Sequence, residues 1–172
     1  MKCCSRHKKR IKDVYRVGNI TFTVISTCSF LILGILILAF AGSLYRYKWL
    51  LLPKRAFPLS SFIMIYLTSF SLMGASMGYI ITDRMYRRKT DKVVTVLLIV
   101  AITLLTWVWY NIIFGSMSFL CGFIFSFVIF SLSLILLLFI FKFFKRITVL
   151  LIPTIIFNMY VVWLSFSIMI LN

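Results

Sequence analysis

Acidic residues are scarce in this chain of 172 residues. Asp13, Asp83 and Asp91 are the only three, and His7 is the only histidine. All four lie outside the long apolar runs, so no run holds the embedded carboxylate on which proton relays usually depend. The sequence also lacks a nucleophile paired with a base and a glycine-rich phosphate loop. The missing carboxylate disfavours a proton-coupled pump with an internal acid.

Cysteines are too few and too scattered for a disulfide framework. Two of the four, Cys28 and Cys121, lie inside apolar runs, where reduced thiols are the expected state. Cys3, Cys4 and His7 share a strongly basic stretch, and the neighbouring positive charges make that stretch a poor cation site. We therefore expect no metal. Acylation of the two amino-terminal cysteines is an alternative use of them.

Apolar residues, by contrast, dominate the chain. They make up 63% of it against 13% charged residues, whereas soluble domains average roughly half and a quarter. Five runs are long enough to cross a bilayer. They predict an all-α integral membrane bundle of five transmembrane helices, one domain at 20–172 after a basic cytoplasmic tail at 1–19. The predicted spans are 20–40, 59–81, 93–114, 117–141 and 147–171, the third and fourth joined by Gly115 and Ser116 in a tight hairpin.

The formal net charge is +16, from 19 Lys and Arg. Fifteen of these lie in the amino-terminal tail and the second and fourth connections, and four lie in the first loop. This bias predicts a cytoplasmic amino terminus and a carboxyl terminus outside. We expect a bacterial plasma membrane, with a mitochondrial protein as the alternative. Because the cations fall between apolar runs, they suit lipid headgroups and not nucleic acid.

The last predicted span carries a polar stripe. Thr154, Asn158, Ser165 and Asn172 lie near one face at helical spacing. An amide is costly in hydrocarbon, so this face should look into a protein interior. Two interpretations remain open: the polar groups form hydrogen bonds between helices, or they line a ligand site.

Small residues form seams on two predicted helices. Gly74 and Gly78 lie four residues apart on the second helix, and Gly122 lies on the fourth with serines around it. Such seams allow close helix packing. The packing partner is either another helix of the same bundle or a second subunit in a homodimer.

The first loop, at 41–58, is rich in apolar side chains. Tyr47, Trp49 and Phe57 are interleaved with basic residues, and Pro53 and Pro58 stiffen the path. These side chains must be buried somewhere. They rest in the lipid interface as an aromatic belt, or they fold over the mouth of the bundle as a capping loop.

Four blocks of this sequence share a pattern with one family. The segment LLIPTIIFNMYVVWLSFSIMILN resembles LLxPYxxWxxFAxxLNxxIWxxN, and WVWYNIIFG resembles NWxWxxxFFG. The second helix and first loop resemble FxxVWxxLYxLMGxS and WYxxLxKPxxxPP. The similarity covers about Tyr45 to Asn172 and is to the TspO/MBR family, the tryptophan-rich sensory proteins related to the translocator protein or peripheral benzodiazepine receptor.

The resemblance implies an often dimeric five-helix bundle whose first loop caps a pocket for porphyrins and other planar hydrophobic ligands. The implied role is sensory, regulatory or transport, with porphyrin or haem as ligand and no resident cofactor. Light-dependent porphyrin degradation and a structural role in a membrane complex are the alternatives. Carried over position by position, the ligand-binding residues are Tyr66, Thr106, Trp109, Phe114, Phe157, Ser165 and Phe166.

Overall fold

The computed structural model is a bundle of five long helices. It describes the backbone of residues 2–40, 47, 50–82, 89–143 and 145–172, and the side chains of 20–39, 47, 50–82, 90–142 and 147–172. A short π-helix, Asn111–Ser116, continues the third helix. Each helix contains a stretch long and apolar enough to cross a membrane, which confirms the predicted all-α membrane bundle. The helices are α1 (Lys2–Phe40), α2 (Leu59–Thr82), α3 (Lys89–Tyr110), α4 (Phe119–Phe143) and α5 (Lys145–Leu171).

The helices pack mainly as pairs. α1 lies along α2 and α4 along α5, while α2 also contacts α5 and α3 also contacts α4. α1 barely touches α3. α1, α3 and α5 end, and α2 and α4 begin, at the same side of the bundle, which we call the loop end because segment 50–58 lies there.

Glycines set the close approach of α1 to α2. A Cβ added at Gly74 would lie 2.6 Å from Phe30 Cβ and 2.8 Å from the carbonyl oxygen of Ser26. One turn later, a Cβ at Gly78 would lie 2.7 Å from Thr23 Cα. The Ser26 hydroxyl donates a hydrogen bond of 2.8 Å to the Gly74 carbonyl. This seam therefore joins two helices of the same chain.

Gly122 has the same use on α4. A Cβ there would lie 2.5 Å from Ile113 Cγ1 and 2.6 Å from Ile113 Cδ1. The π-helical segment therefore packs closely on the first turns of α4. The glycines of both predicted seams contact neighbouring helices inside one bundle.

Three of the differences between predicted and observed boundaries have a clear physical reason. α1 extends back to Lys2 through the predicted basic tail, and α3 begins at Lys89, before its predicted span. Hydropathy marks the part of a helix that suits lipid, whereas backbone hydrogen bonds carry a helix beyond that part. The hairpin between the third and fourth spans turns at Met117 and Ser118, not at Gly115 and Ser116.

The turn at Met117 explains the third difference. Met117 has φ 53 and ψ 30, the left-handed conformation that often ends a helix. Its backbone N–H bonds to the Ile112 carbonyl, and the Ser118 N–H reaches the same oxygen at 3.3 Å. The helix therefore continues through Gly115 and Ser116 before it reverses.

Candidate functional site

The interior of the loop end is filled by aromatic side chains. Ring centroids lie 4.9 Å apart between Trp109 and Tyr110, 5.2 Å between Tyr66 and Tyr110, and 5.7 Å between Tyr110 and Phe114. All the members are buried. We call this set the aromatic cluster; it comprises Tyr47, Phe62, Tyr66, Trp109, Tyr110, Phe114 and Phe157.

Helical spacing explains how the cluster forms. Phe62 and Tyr66 are four residues apart on α2, so they lie on one face of that helix. Tyr110 ends α3 and Phe114 lies in the π-helix that follows. Phe157 completes the set from α5, with its ring centroid 5.6 Å from that of Phe62. Three helices therefore direct aromatic rings toward one volume.

Two phenol groups of the cluster have no hydrogen-bond partner within the described part of the chain. They are the hydroxyls of Tyr66 and Tyr110, whose side chains are fully enclosed. Their rings meet edge to face at an interplanar angle of 68°. An unpartnered buried polar group costs about 1–3 kcal/mol. Two such groups side by side mark this interior as different from an ordinary apolar core.

Trp109 is the polar link between α3 and α5. Its indole Nε1–H donates to the Ser165 hydroxyl oxygen at 3.1 Å, and both side chains are buried. Because the indole N–H is satisfied, the Trp109 ring is held in one orientation beside the aromatic cluster. Ser165, from the polar stripe of α5, supplies the acceptor.

Segment 50–58 lies at the loop end and is held by the side chains of Tyr160 on α5 and of Asn172, the residue after α5. The Asn172 amide forms two hydrogen bonds of 3.1 Å with the backbone of Leu51. The backbone N–H of Phe57 donates to the Tyr160 hydroxyl oxygen at 2.9 Å, and the two rings lie 4.5 Å apart. The segment therefore closes the loop end by contacts at both of its ends.

Tyr47 joins the segment to the cluster. Its hydroxyl donates to the Phe57 carbonyl at 2.8 Å, and its ring lies 5.7 Å from that of Phe62. The pKa of the Tyr47 hydroxyl is raised to about 12, first by burial and then by the charge of the neighbouring Tyr160 hydroxyl and a hydrogen bond with it. Tyr47 therefore remains a protonated donor across the physiological pH range.

A small cavity with a largely apolar lining lies deeper in the bundle. Its volume is about 10 Å³, which is about the space of one water molecule. At its wall the Thr154 hydroxyl approaches the Ser69 carbonyl at 3.3 Å, and the Asn158 amide donates to the Ser133 hydroxyl at 2.7 Å. Asn158 thus makes a hydrogen bond between α5 and α4 and also borders this cavity.

The structure brings most of the predicted ligand-binding residues together. Thr106 is half-buried, borders the small cavity and donates its hydroxyl to the Ile102 carbonyl at 2.8 Å. Phe166 is separate: it is 44% exposed and packs on Phe123, with ring centroids 5.5 Å apart. Successive helical residues are about 100° apart, so Ser165 and Phe166 cannot both face inward. The predicted residues that share the buried interior are Tyr66, Trp109, Phe114, Phe157 and Ser165.

The predicted capping residues are also buried to different degrees. Tyr47 is buried, Pro53 is half-buried at the start of a turn, and Phe57 is exposed on one side and packs on Tyr160 with the other. Trp49 lies outside the described residues. So do the side chains of the three residues considered for metal or acylation, Cys3, Cys4 and His7.

Sequence reasoning missed two members of the cluster. Phe62 and Tyr110 are not among the predicted ligand-binding residues, although both are as buried as Tyr66, Trp109 and Phe114, which are. The signal available was spacing: each lies four residues from a predicted member, Tyr66 or Phe114, on the same helical path.

Comparison of the sequence with protein-family models finds no match, and comparison with curated proteins finds none either.

Proposed function

We propose that this chain is a membrane protein that binds a planar hydrophobic ligand, such as a tetrapyrrole, in the aromatic cluster beneath segment 50–58. The pair of unpartnered phenols, Tyr66 and Tyr110, carries the proposal. Aromatic faces supply stacking and apolar burial, and a few fixed polar groups orient the ligand, as in most small-molecule sites. The resemblance to the TspO/MBR family supports the same ligand class.

Ligand entry requires the cluster to open. The enclosed cavity beside the cluster holds about one water molecule, far less than a tetrapyrrole needs. The rings therefore separate as the ligand enters, and segment 50–58 lifts to admit it. The segment is attached to α5 through Leu51 and Phe57, so a small number of hydrogen bonds controls access.

Charge on the segment suits the edge of such a ligand. Lys54 and Arg55 are exposed on segment 50–58, and the propionate groups of a porphyrin are anionic. With the macrocycle among the rings, its carboxylates reach the loop end and pair with these cations. In this proposal the loop end faces outside, as the distribution of Lys and Arg predicts, and the protein senses or transports the ligand.

Titration of the purified full-length protein with protoporphyrin tests the proposal. We expect a saturable shift of the porphyrin absorption band with one ligand per chain. Tyr110→Phe should raise the dissociation constant about three- to tenfold, because it removes an unpartnered hydroxyl of the site. Trp109→Phe should have a similar effect, because it loses the hydrogen bond to Ser165 that holds the ring in place. Trp107→Phe is the matched control, since Trp107 is 46% exposed and is not a member of the aromatic cluster.

Two results would contradict the proposal. One is a porphyrin spectrum that changes without saturation, as partitioning into the detergent would give. The other is an identical dissociation constant for the parent protein and all three variants. Following the porphyrin absorption and not the protein fluorescence keeps the tryptophan substitutions from altering the signal.

A further inference from the structure

A second concave surface lies between α1 and α3 at the loop end. It has a volume of about 470 Å³, within the range of small-molecule sites. It exists because α1 packs on α2 and barely touches α3. We call it the α1–α3 groove. It shares no residue with the aromatic cluster, and its lining residues are Leu33, Leu36, Ile37, Thr103, Leu104, Trp107 and Asn111.

The α1–α3 groove opens sideways toward the bilayer. Leu36, Leu104 and Trp107 on its walls are among the exposed large apolar side chains, and they continue the lipid-facing surface of the spanning helices. Its contents therefore exchange with membrane lipid and not with water. Trp107 lies nine residues before Ser116, where the third span ends, so its indole lies within the apolar part of the bilayer.

A polar stripe of α3 faces this otherwise apolar groove. Thr103, Trp107 and Asn111 follow one another at intervals of four residues, so they lie along one face. The Thr103 hydroxyl donates to the Ile99 carbonyl at 2.8 Å, and the Asn111 Nδ2 donates to the Trp107 carbonyl at 2.9 Å. Polar groups directed at lipid are expensive and usually have a function.

Two polar atoms of that stripe stay unpaired within the described residues. They are the indole Nε1–H of Trp107, a donor, and the Oδ1 of Asn111, an acceptor. They lie one helical turn apart at the loop end of the groove. A hydroxyl group complements both, because its oxygen accepts from the indole and its hydrogen is donated to the amide.

We propose that the α1–α3 groove binds a neutral lipid that carries a hydroxyl head, such as a monoacylglycerol drawn from the bilayer. The acyl chain lies against the leucines of both helices, and the head bonds to Trp107 and Asn111. No Lys, Arg, Asp or Glu is among the described residues that line the groove. Among these described residues an anionic phospholipid would find no countercharge, which favours the neutral class.

Native mass spectrometry of the full-length protein with 1-monooleoylglycerol tests the site. We expect one retained lipid per chain. Trp107→Phe and Asn111→Leu should each lower the retained fraction about three- to tenfold, the factor that corresponds to one hydrogen bond. Trp163→Phe, which changes a partly exposed tryptophan elsewhere, should leave retention unchanged. Leu36→Trp should abolish retention by filling the groove.

Two further lipids test the chemistry of the head. Methyl oleate has a similar chain but no hydroxyl, and phosphatidylglycerol is anionic; both should be retained less than 1-monooleoylglycerol. Equal retention of methyl oleate, preferred retention of phosphatidylglycerol, or equal retention by Trp107→Phe, Asn111→Leu and the parent would each overturn the proposal. Because the groove and the cluster share no residue, Tyr110→Phe should not change lipid retention.

Discussion

The side chain of Asn172 binds both backbone groups of Leu51. The Leu51 N–H donates to Asn172 Oδ1 and Asn172 Nδ2 donates to the Leu51 carbonyl, each at 3.1 Å. The same Nδ2 also donates to the Ile168 carbonyl within α5. An asparagine amide has the donor and acceptor spacing of a peptide group, so it pairs with a peptide as a neighbouring strand would. This contact fixes segment 50–58 to the end of α5.

We therefore expect Asn172→Ala to loosen segment 50–58. Loss of two hydrogen bonds, at roughly 0.5–1.5 kcal/mol each, should speed amide hydrogen exchange in the segment about 5- to 150-fold. Mass spectrometry of peptides that cover the segment measures this exchange. Ser167→Ala is the control, because the Ser167 hydroxyl bonds only within its own helix, to the Trp163 carbonyl. Equal exchange in both variants would mean that other contacts hold the segment.

The polar stripe of α5 shows how far sequence reasoning reaches. Thr154, Asn158, Ser165 and Asn172 are predicted to face inward because polar groups are costly in lipid. The first three are buried, whereas Asn172, the residue after α5, is exposed and bonds to Leu51. The five spans can also be predicted from the sequence, since hydropathy and length define them. Both inferences depend on the chemistry of single residues and their spacing along one helix.

Contacts between distant parts of the chain could not be predicted in this way. The pairing of Leu51 with Asn172 joins residues 121 positions apart, and nothing in either residue type specifies the other. Phe166 was carried over from a sequence pattern that does not record which face of α5 turns inward. The left-handed turn at Met117 could not be predicted either. Methionine is not typical of turns, whereas Gly115 favours a turn two residues too early.

Tyr47 should make the closure of segment 50–58 sensitive to high pH. Its pKa in the folded protein is raised to about 12, chiefly by burial, against 10 for an exposed tyrosine. Its stabilising contribution is thus fully present below pH 10 and is lost as the pH rises through 12. We expect amide exchange in the segment to accelerate over that interval, beyond the intrinsic effect of pH.

Tyr47→Phe should remove this additional dependence. The variant also loses the hydrogen bond to the Phe57 carbonyl, so its segment should exchange faster at neutral pH. Tyr79→Phe serves as the control because Tyr79 is an exposed tyrosine of α2. If amide exchange in segment 50–58 of the Tyr47→Phe variant still accelerates fully between pH 10 and 12, the titrating group is not Tyr47.

Removal of an unpartnered phenol should stabilise the protein. Tyr110→Phe deletes a buried hydroxyl without a described partner and leaves the ring in place. The desolvation penalty relieved is about 1–3 kcal/mol, so the thermal midpoint in detergent should rise. The same variant should bind protoporphyrin more weakly. Such opposite effects on stability and affinity are expected of a group kept for a ligand and not for folding. A lowered midpoint would instead indicate that the hydroxyl has a partner in the folded protein.

Two glycine substitutions should act in opposite directions. Gly74→Ala places a Cβ against the backbone oxygen of Ser26 and the Cβ of Phe30, so α1 must move away from α2 and the thermal midpoint should fall. A Cβ added at Gly115 has no neighbouring atom within 4 Å. Alanine also favours a helical backbone by about 0.5–1 kcal/mol over glycine. Its midpoint should therefore stay level or rise. A similar change of the thermal midpoint in both variants would show that α1 can move away from α2 without loss of stability.

The hydrogen bond from Asn158 to Ser133 should stabilise the pairing of α5 with α4. Ser133→Ala leaves the buried Asn158 amide without the acceptor that it has at 2.7 Å, and we expect a loss of about 1 kcal/mol, near the values found for such bonds in membrane proteins. Ser131→Ala is the matched control on the same helix, because the Ser131 hydroxyl bonds locally to the Phe127 carbonyl.

The double variant Ser133→Ala, Asn158→Leu should recover most of the loss, since replacement of both partners by apolar groups leaves nothing unpaired. Recovery would show that Asn158 serves helix packing, whereas a double variant that folds well but binds protoporphyrin more weakly would show that the amide also serves the ligand.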